Sequence, residues 1–187
     1  MKYTLAISAV IFTLGFVTLP IVWSSENPSW NKFTANKSSS YAVTVAADPV
    51  YQEECGGCHM AYPPGLLPGR SWEKLMLGLE NHFGDNAELD AETQQLITEV
   101  LLSRSADRSK NKPSKKFTRS IKLNDAPLRI SATPYFIREH DEIPIRMVTG
   151  NPKVNSLSQC NACHTKAEQG LFNEHDVYIP GYGHWDD

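Results

Sequence analysis

Two pentapeptides of the form Cys-x-x-Cys-His contain all four cysteines of this 187-residue chain. The first supplies Cys55, Cys58 and His59, and the second supplies Cys160, Cys163 and His164. Residues three and four positions apart share a face of one helical turn, so two thiols can bond to one porphyrin while the histidine reaches its iron. The spacing therefore predicts two covalently attached haem c groups, each with a histidine as proximal ligand.

Other uses of paired cysteines fit these motifs less well. Cys-x-x-Cys also occurs in redox-active dithiols and in zinc sites. A zinc site with four cysteine ligands needs no histidine after either pair, and structural disulfides do not favour this spacing. Two copies, each followed directly by histidine, favour haem over these alternatives.

The amino-terminal segment has the composition of an export signal. Lys2 precedes an uncharged, apolar run over residues 4–23. We expect residues 1–24 to be a signal peptide or, if uncleaved, a membrane anchor of about 20 residues. Serine and asparagine are frequent after this run, and we expect residues 25–47 to be a disordered leader. Either outcome predicts a periplasmic location, where bacteria attach c-type haem.

A second change in composition separates the two motifs. Residues 104–122 contain eight lysines and arginines, opposed by Asp107 alone. We interpret this segment as a solvated basic linker between a first haem domain, residues 48–103, and a second, residues 123–187. A docking patch for an acidic partner is the alternative. The net charge of −3 argues against nucleic acid as a partner.

The expected fold is mainly α-helical with much irregular structure. Apolar side chains repeat at helical spacing from Trp72 to Leu79, and Asp90 is a suitable N-cap for a second helix. Residues 123–152 contain prolines and short apolar runs, which predict irregular or briefly extended structure. Ser158 as N-cap and Gly170 beyond the end are expected to frame the helix of the second motif.

Each half of the chain is near the size at which an unaided hydrophobic core becomes marginal. We therefore expect a large apolar haem to complete each core, so that neither half folds stably without it. Arg70 and Arg129 are candidates to pair with haem propionates. A carbonyl in the loop containing Pro63, Pro64 and Pro68 is a candidate acceptor for the second nitrogen of an axial imidazole.

The sixth ligand of each iron decides between electron transfer and chemistry on a small molecule. Four histidines remain outside the motifs, His82, His140, His175 and His184, and among the methionines Met147 is the remaining candidate. Of these, His82 has the clearest context, because it lies in a loop between the two predicted helices.

Several stretches together resemble the dihaem cytochrome c family. They are residues 72–102, centred on His82-Phe83-Gly84-Asp85-Asn86-Ala87, then residues 130–136, His140, and residues 158–170 around the second motif. The resemblance implies a first haem domain similar to class I cytochrome c, followed by a small second haem domain. It also implies bis-histidine ligation: His59 with His82 on the first iron, and His164 with His140 on the second.

The second of these pairings has an alternative in the residues themselves. His175 is much closer along the chain to His164, whereas His140 lies in a charged stretch typical of a surface. Aromatic neighbours of His140 could nevertheless form the wall of a haem pocket. His175 therefore stays open as the alternative ligand, with His184 as a third candidate.

Two six-coordinate irons imply an electron carrier without a catalytic residue. The family resemblance implies exchange with other periplasmic redox proteins, such as a membrane b-type cytochrome and a small oxygen-binding haem protein. The alternative is a haem enzyme, of the peroxidase or nitrogen-oxide reductase type, in which one iron loses its sixth ligand. Glu139, Asp141 and Glu142 would then be the candidate acid–base groups, although a solvated charged loop is the commoner meaning of such a pattern. No signalling output domain is recognisable, so a haem-based sensor is the least favoured class.

Overall fold

Seven short α-helices and one two-stranded hairpin are the regular elements of residues 41–185, the part of the chain that this computed structural model describes. The helices are α1 Pro49–Gly56, α2 Gly69–Met76, α3 Ala91–Ser103, α4 Lys112–Ser120, α5 Pro134–His140, α6 Ile145–Val148 and α7 Cys160–Cys163. The antiparallel strands are β1 Tyr178–Ile179 and β2 Gly183–His184. Five 3-10 turns lie between them, at Pro64–Leu66, Leu79–Asn81, Ile130–Ala132, Ala167–Gln169 and Glu174–Asp176. The expectation of a mainly helical chain is confirmed.

Local sequence explains where the helices of the first half begin. The Asp48 carboxylate accepts the Tyr51 N–H at 3.0 Å, and Pro49 occupies the first turn, where a missing N–H costs nothing. The Asp90 carboxylate accepts the Thr93 N–H at 3.0 Å at the start of α3. Both helices predicted in this half are confirmed, as α2 and α3.

The core of the first half forms where α2 packs against α3. Leu67, Trp72, Met76, Ile97 and Leu101 are buried there. The buried Trp72 indole N–H donates to the Pro64 carbonyl at 2.8 Å, which satisfies its only polar atom. The Trp72 hydrogen bond and this apolar cluster hold the loop that follows the first motif, residues 61–68, against the core.

Residues 41–47, expected as the end of a disordered leader, instead pack into the fold. The Val43 N–H donates to the Gly170 carbonyl at 2.9 Å, and the Gly65 N–H donates to the Thr44 carbonyl at 3.1 Å. Val43 and Ala46 are buried, so their apolar surface explains why this stretch leaves water. The rest of the leader and the signal or anchor segment lie outside the described residues. Within residues 41–185, no helix is both long and apolar enough to cross a membrane.

The segment interpreted as a solvated linker, residues 104–122, contains helix α4. Ser114 and Phe117 are buried, and the Phe117 ring meets the Tyr135 ring edge to face at 4.9 Å. The residues described belong to one compact unit, so this segment is packed on the fold rather than wholly solvated. The division into haem domains on either side of it stays a prediction.

Two further expectations for the second half are wrong. Residues 123–152 contain α5, which begins where the Thr133 hydroxyl accepts the Phe136 N–H at 3.4 Å and Pro134 follows in the first turn. Ser158 is not the N-cap of α7. That helix has four residues and follows Gln159.

Gly170 provides a test of the contact between residues 41–47 and the second half. Its φ is +73°, and a Cβ atom there would lie 2.6 Å from Val45 Cγ1 and 2.7 Å from the Val43 carbonyl oxygen. Gly181 has a φ of +85° but open space at the same position. We expect Gly181→Ala to cost about 1–2 kcal/mol of unfolding free energy through backbone strain alone. Gly170→Ala should cost about 1–3 kcal/mol more through overpacking.

Urea unfolding of the holoprotein, followed by circular dichroism, measures both changes. Equal losses in the two variants would mean that residues 41–47 are not held against Gly170 in solution.

Candidate haem sites

The first motif lies at the end of α1 and opens onto a cavity of about 310 Å³, the first cavity. Cys55 is in the last turn of the helix, while Cys58 and His59 follow in the turn after it. All three line the cavity, together with apolar side chains of α2 and α3 such as Trp72 and Leu101. The cysteines and the histidine of the first motif therefore share one cavity, and much of its wall is apolar.

A backbone carbonyl holds the imidazole of His59. Its Nδ1–H donates to the Met60 carbonyl at 2.7 Å, which leaves Nε2 as the atom able to bind a metal. The acceptor expected from the proline-rich loop is therefore supplied by the next residue instead. Tyr62 stacks on the same imidazole, with ring centres 4.5 Å apart and planes inclined by 23°.

A tight turn presents His82 to the same cavity. The His82 N–H donates to the Asp85 carbonyl at 2.7 Å, and the Asp85 N–H returns a bond of 3.3 Å. The ring centres of His82 and His59 lie 6.3 Å apart, with planes inclined by 29°. Partial burial, and then the neighbouring His59, lower the pKa of His82, which favours the neutral imidazole that metals bind.

Sequence reasoning missed the contact that supports this turn. Phe83 has a φ of +59°, an uncommon conformation for a large side chain, and its ring lies 4.8 Å from that of His82. The Arg129 guanidinium lies over the Phe83 ring, 3.8 Å from its centre. Arg129 lines the first cavity, whereas the guanidinium of Arg70 donates to backbone carbonyls, including that of Asp125 at 2.6 Å, and lines neither site. The strained φ at Phe83 is the local signal for this support, and it is visible only in three dimensions.

The second motif lies in α7 and opens onto a cavity of about 790 Å³, the second cavity. Cys160, Cys163 and His164 all line it. Helix α5 places His140 on the same cavity, with ring centres of His140 and His164 6.2 Å apart and planes inclined by 67°. Both facing pairs that the family resemblance implies are thus brought together.

Helix geometry positions His140 within its charged stretch. Its Nδ1–H donates to the Phe136 carbonyl one turn earlier at 2.8 Å, and the Phe136 ring stacks on it at 3.8 Å with planes inclined by 7°. Burial lowers the pKa of His140, so the ring is neutral at neutral pH. Glu139, Asp141 and Glu142 are exposed where they line the second cavity, whereas His140 is half-buried.

His164 is the more strongly perturbed of this pair. Burial, and then the neighbouring His140, lower the pKa of His164 to about 4. Its Nδ1 is buried and has no hydrogen-bond partner among the described residues. A neutral imidazole in an apolar setting suits a ligand bound through its other nitrogen, and Phe172 closes one side with ring centres 5.3 Å apart.

The first cysteine of each motif does not have the character of a thiolate ligand or a redox thiol. All four are free in the structure. Burial raises the pKa of Cys55 and that of Cys160 to about 11, whereas zinc binding and thiol–disulfide exchange require the thiolate. Thioether formation removes the ionisable proton, so haem attachment fits the apolar positions of these sulfurs better than either alternative.

The other two candidate histidines line neither cavity. The His175 side chain is 77% exposed and lies 3.9 Å from Glu174, and it lines neither cavity. His184 is also exposed, with its ring 5.5 Å from the centre of the Tyr178 ring. Proximity along the chain to His164 therefore does not bring His175 to the site.

The two cavities share a wall. Ile130, Phe136, Leu157 and Cys160 line both of them. The Tyr62 hydroxyl, whose ring lies on His59, donates to the Ser158 carbonyl at 2.7 Å, next to the second motif. The two sites are neighbours separated by a single layer of side chains.

Comparison with known proteins identifies the family of this chain. The family model for dihaem cytochrome c matches residues 51–172. The X-ray structure of a dihaem c-type cytochrome from Shewanella baltica is 46% identical, covers 74% of this chain and 97% of its own, and superposes with a TM-score of 0.62. The dihaem cytochrome c of Rhodobacter sphaeroides is also 46% identical, over 70% of this chain and 100% of its own, with a TM-score of 0.62. No curated protein sequence matches the chain significantly.

The family match spans well over half of the chain and includes both cysteine pairs, and the solved relatives are matched along nearly their whole length. This protein therefore belongs to the dihaem cytochrome c family and binds two haem c groups.

Proposed function

We propose that this protein carries electrons through two irons, each held between two histidines. The observation that carries the proposal is the spacing of the facing rings, 6.3 Å for His59 and His82 and 6.2 Å for His140 and His164. A metal–imidazole bond is about 2 Å long and a ring nitrogen lies about 1 Å from its ring centre, so two imidazoles on opposite sides of one metal have centres about 6 Å apart. Both pairs have this separation.

Ligation of this kind favours electron transfer over substrate chemistry. Haem c supplies one-electron transfer at its iron, and axial ligand identity is a main determinant of its potential. With a histidine on each face, no position is left for a small molecule to bind. Methionine in place of one histidine would raise the potential, so two bis-histidine sites belong to the lower part of the c-type range.

The shared wall supports exchange of electrons between the two sites. Phe136 lines both cavities and stacks on His140, and Cys160 of the second motif also lines the first cavity. Two haems held in these cavities would be separated by this shared wall, which would favour electron exchange between them. We further propose a class I cytochrome c-like first haem domain and a smaller second one within this arrangement.

Location and partners belong to the same proposal. Attachment of c-type haem supports a periplasmic protein, either free or held by its amino-terminal segment. Donor and acceptor are then other redox proteins, with a membrane b-type cytochrome and a small oxygen-binding haem protein as the types that the family suggests.

One observation favours a haem enzyme as the second candidate. Glu139, Asp141 and Glu142 all line the second cavity beside His140. If His140 left the iron, these carboxylates would stand near an open position and could transfer protons. The two candidates differ in whether the sixth position of the second iron is occupied at rest.

Carbon monoxide tests the occupancy, because it binds ferrous haem only where the sixth position is empty or weakly held. We expect no spectral change when carbon monoxide is added to the reduced protein. His140→Ala should open one iron and give a shift equivalent to one of the two haems, whereas His175→Ala, the matched control, should behave like the wild type.

Binding by the wild-type protein would favour the enzyme. Binding by the His175→Ala variant alone would move the ligand assignment from His140 to His175.

Removal of one attachment site tests the structural role of haem. Cys160→Ala with Cys163→Ala should reduce the haem content from two to one per chain, as measured by the pyridine haemochrome and by mass. The second cavity would then lack the group that fills it, and its wall is shared with the first cavity. We expect a lower unfolding temperature and a loss of circular dichroism, and a native-like thermal transition would contradict this role.

A further inference from the structure

Charge is strongly segregated along this chain. Residues 104–122 contain eight of its 18 cationic residues and one of its 21 acidic residues, which gives this segment a charge of +7 and the remainder −10. Residues 48–103, which surround the first motif, contain two cations and ten acids and therefore carry −8. The net charge of −3 is therefore the sum of one basic segment, residues 104–122, and an acidic remainder.

Helix α4 displays part of this positive charge to solvent. Lys112, Lys115, Lys116 and Arg119 are exposed on it, and we call this set the basic face. Within the described part of the chain, no carboxylate lies within ion-pair distance of any of them. The Lys116 ammonium lies over the Tyr135 ring, 5.3 Å from its centre, and Arg119 is in the last turn, where a cation suits the helix dipole. Lys112 and Lys116, and likewise Lys115 and Arg119, are nevertheless like-charged pairs four residues apart, an arrangement that destabilises a helix.

The basic face lies beside the second haem site. Phe117 anchors α4 to Tyr135 of α5, the helix that carries His140. Lys112 and Lys116 also line the second cavity, where they could pair with haem propionates, whereas Lys115 and Arg119 line neither cavity. A requirement for propionate binding therefore accounts for at most half of the basic face.

We propose that the basic face of α4 docks an acidic redox protein that exchanges electrons with the second haem. The proposal rests on the electron-carrier function proposed above and specifies the partner of its second site. Opposite charges steer two proteins together and raise association rates by a factor of about 10–10³. Transient redox complexes use small interfaces, and nine helical residues span about 13 Å, a suitable length for one acidic patch.

The charge of the rest of the chain favours a protein, rather than an anionic membrane, as the partner of the basic face. The −8 segment around the first motif repels any broad negative surface that approaches the molecule. A bilayer presents such an extended surface, whereas a protein with a compact acidic patch can contact α4 alone. The same repulsion directs an acidic partner away from the first haem and towards the second.

Stopped-flow reduction of the oxidised dihaem protein by flavodoxin hydroquinone, an acidic one-electron donor, tests the proposal. The variant Lys115→Glu with Arg119→Glu reverses the charge at the two positions that line no cavity. The control, Lys74→Glu with Lys153→Glu, makes the same change in net charge at exposed positions outside α4. At about 10 mM ionic strength, where the Debye length is about 30 Å, we expect the α4 variant to react at least about 10-fold more slowly than the control.

Salt supplies the second readout. At about 1 M ionic strength the Debye length is about 3 Å, so the rates of the two variants should converge. Equal rates at low salt would overturn the proposal. It would also be overturned if the α4 variant lost binding to phosphatidylserine vesicles while its flavodoxin kinetics matched the control, since a membrane would then be the ligand.

The variants also separate this inference from the function on which it rests. Each should keep two haems and an unchanged spectrum under carbon monoxide, because neither replaces a residue at an iron. Carbon monoxide binding by the wild type would overturn the electron-carrier proposal, whereas unchanged ligation with equal rates would overturn only the docking face.

Discussion

Each haem cavity depends on two histidines that are distant in sequence and face each other across about 6 Å. One histidine of each pair directly follows its cysteines in the chain, whereas the position of the other is set by the fold. The first pair requires the turn at His82, and the second requires α5. Packing of α2 on α3, and of α4 on α5, therefore serves to hold these two side chains in place.

A backbone carbonyl orients one imidazole at each site. His59 donates to Met60 and His140 donates to Phe136, so each ring has one nitrogen engaged and the other directed to its cavity. Burial keeps the rings of the second pair neutral by lowering the pKa of both. The nonpolar surroundings that would penalise a charged histidine thus preserve the form that binds iron.

The contacts of residues 41–47 and α4 join the two halves. Val43 pairs with Gly170 near the second motif, and Thr44 pairs with Gly65 near the first. The Thr44 and Ser109 hydroxyls also lie 2.9 Å apart, which ties this stretch to the segment before α4. Segments that seem to be a leader and a linker in the sequence thus help to place the two haem sites next to each other, with a common wall at Ile130 and Phe136.

The sequence by itself determined the cofactor and the helices with clear caps. Contiguous residues encode covalent haem attachment, and Asp90 marks the start of α3. Both features can therefore be predicted without knowledge of the fold. The start of α5 at Thr133 and Pro134 is equally local, but the prediction of irregular structure for residues 123–152 did not include it. Only the tertiary structure decided which histidine faces His164, because that choice depends on the packing of α5 rather than on distance along the chain. It also decided the burial of Val43 and Phe117, since an apolar side chain in a short segment is buried only when another segment offers a surface to cover it.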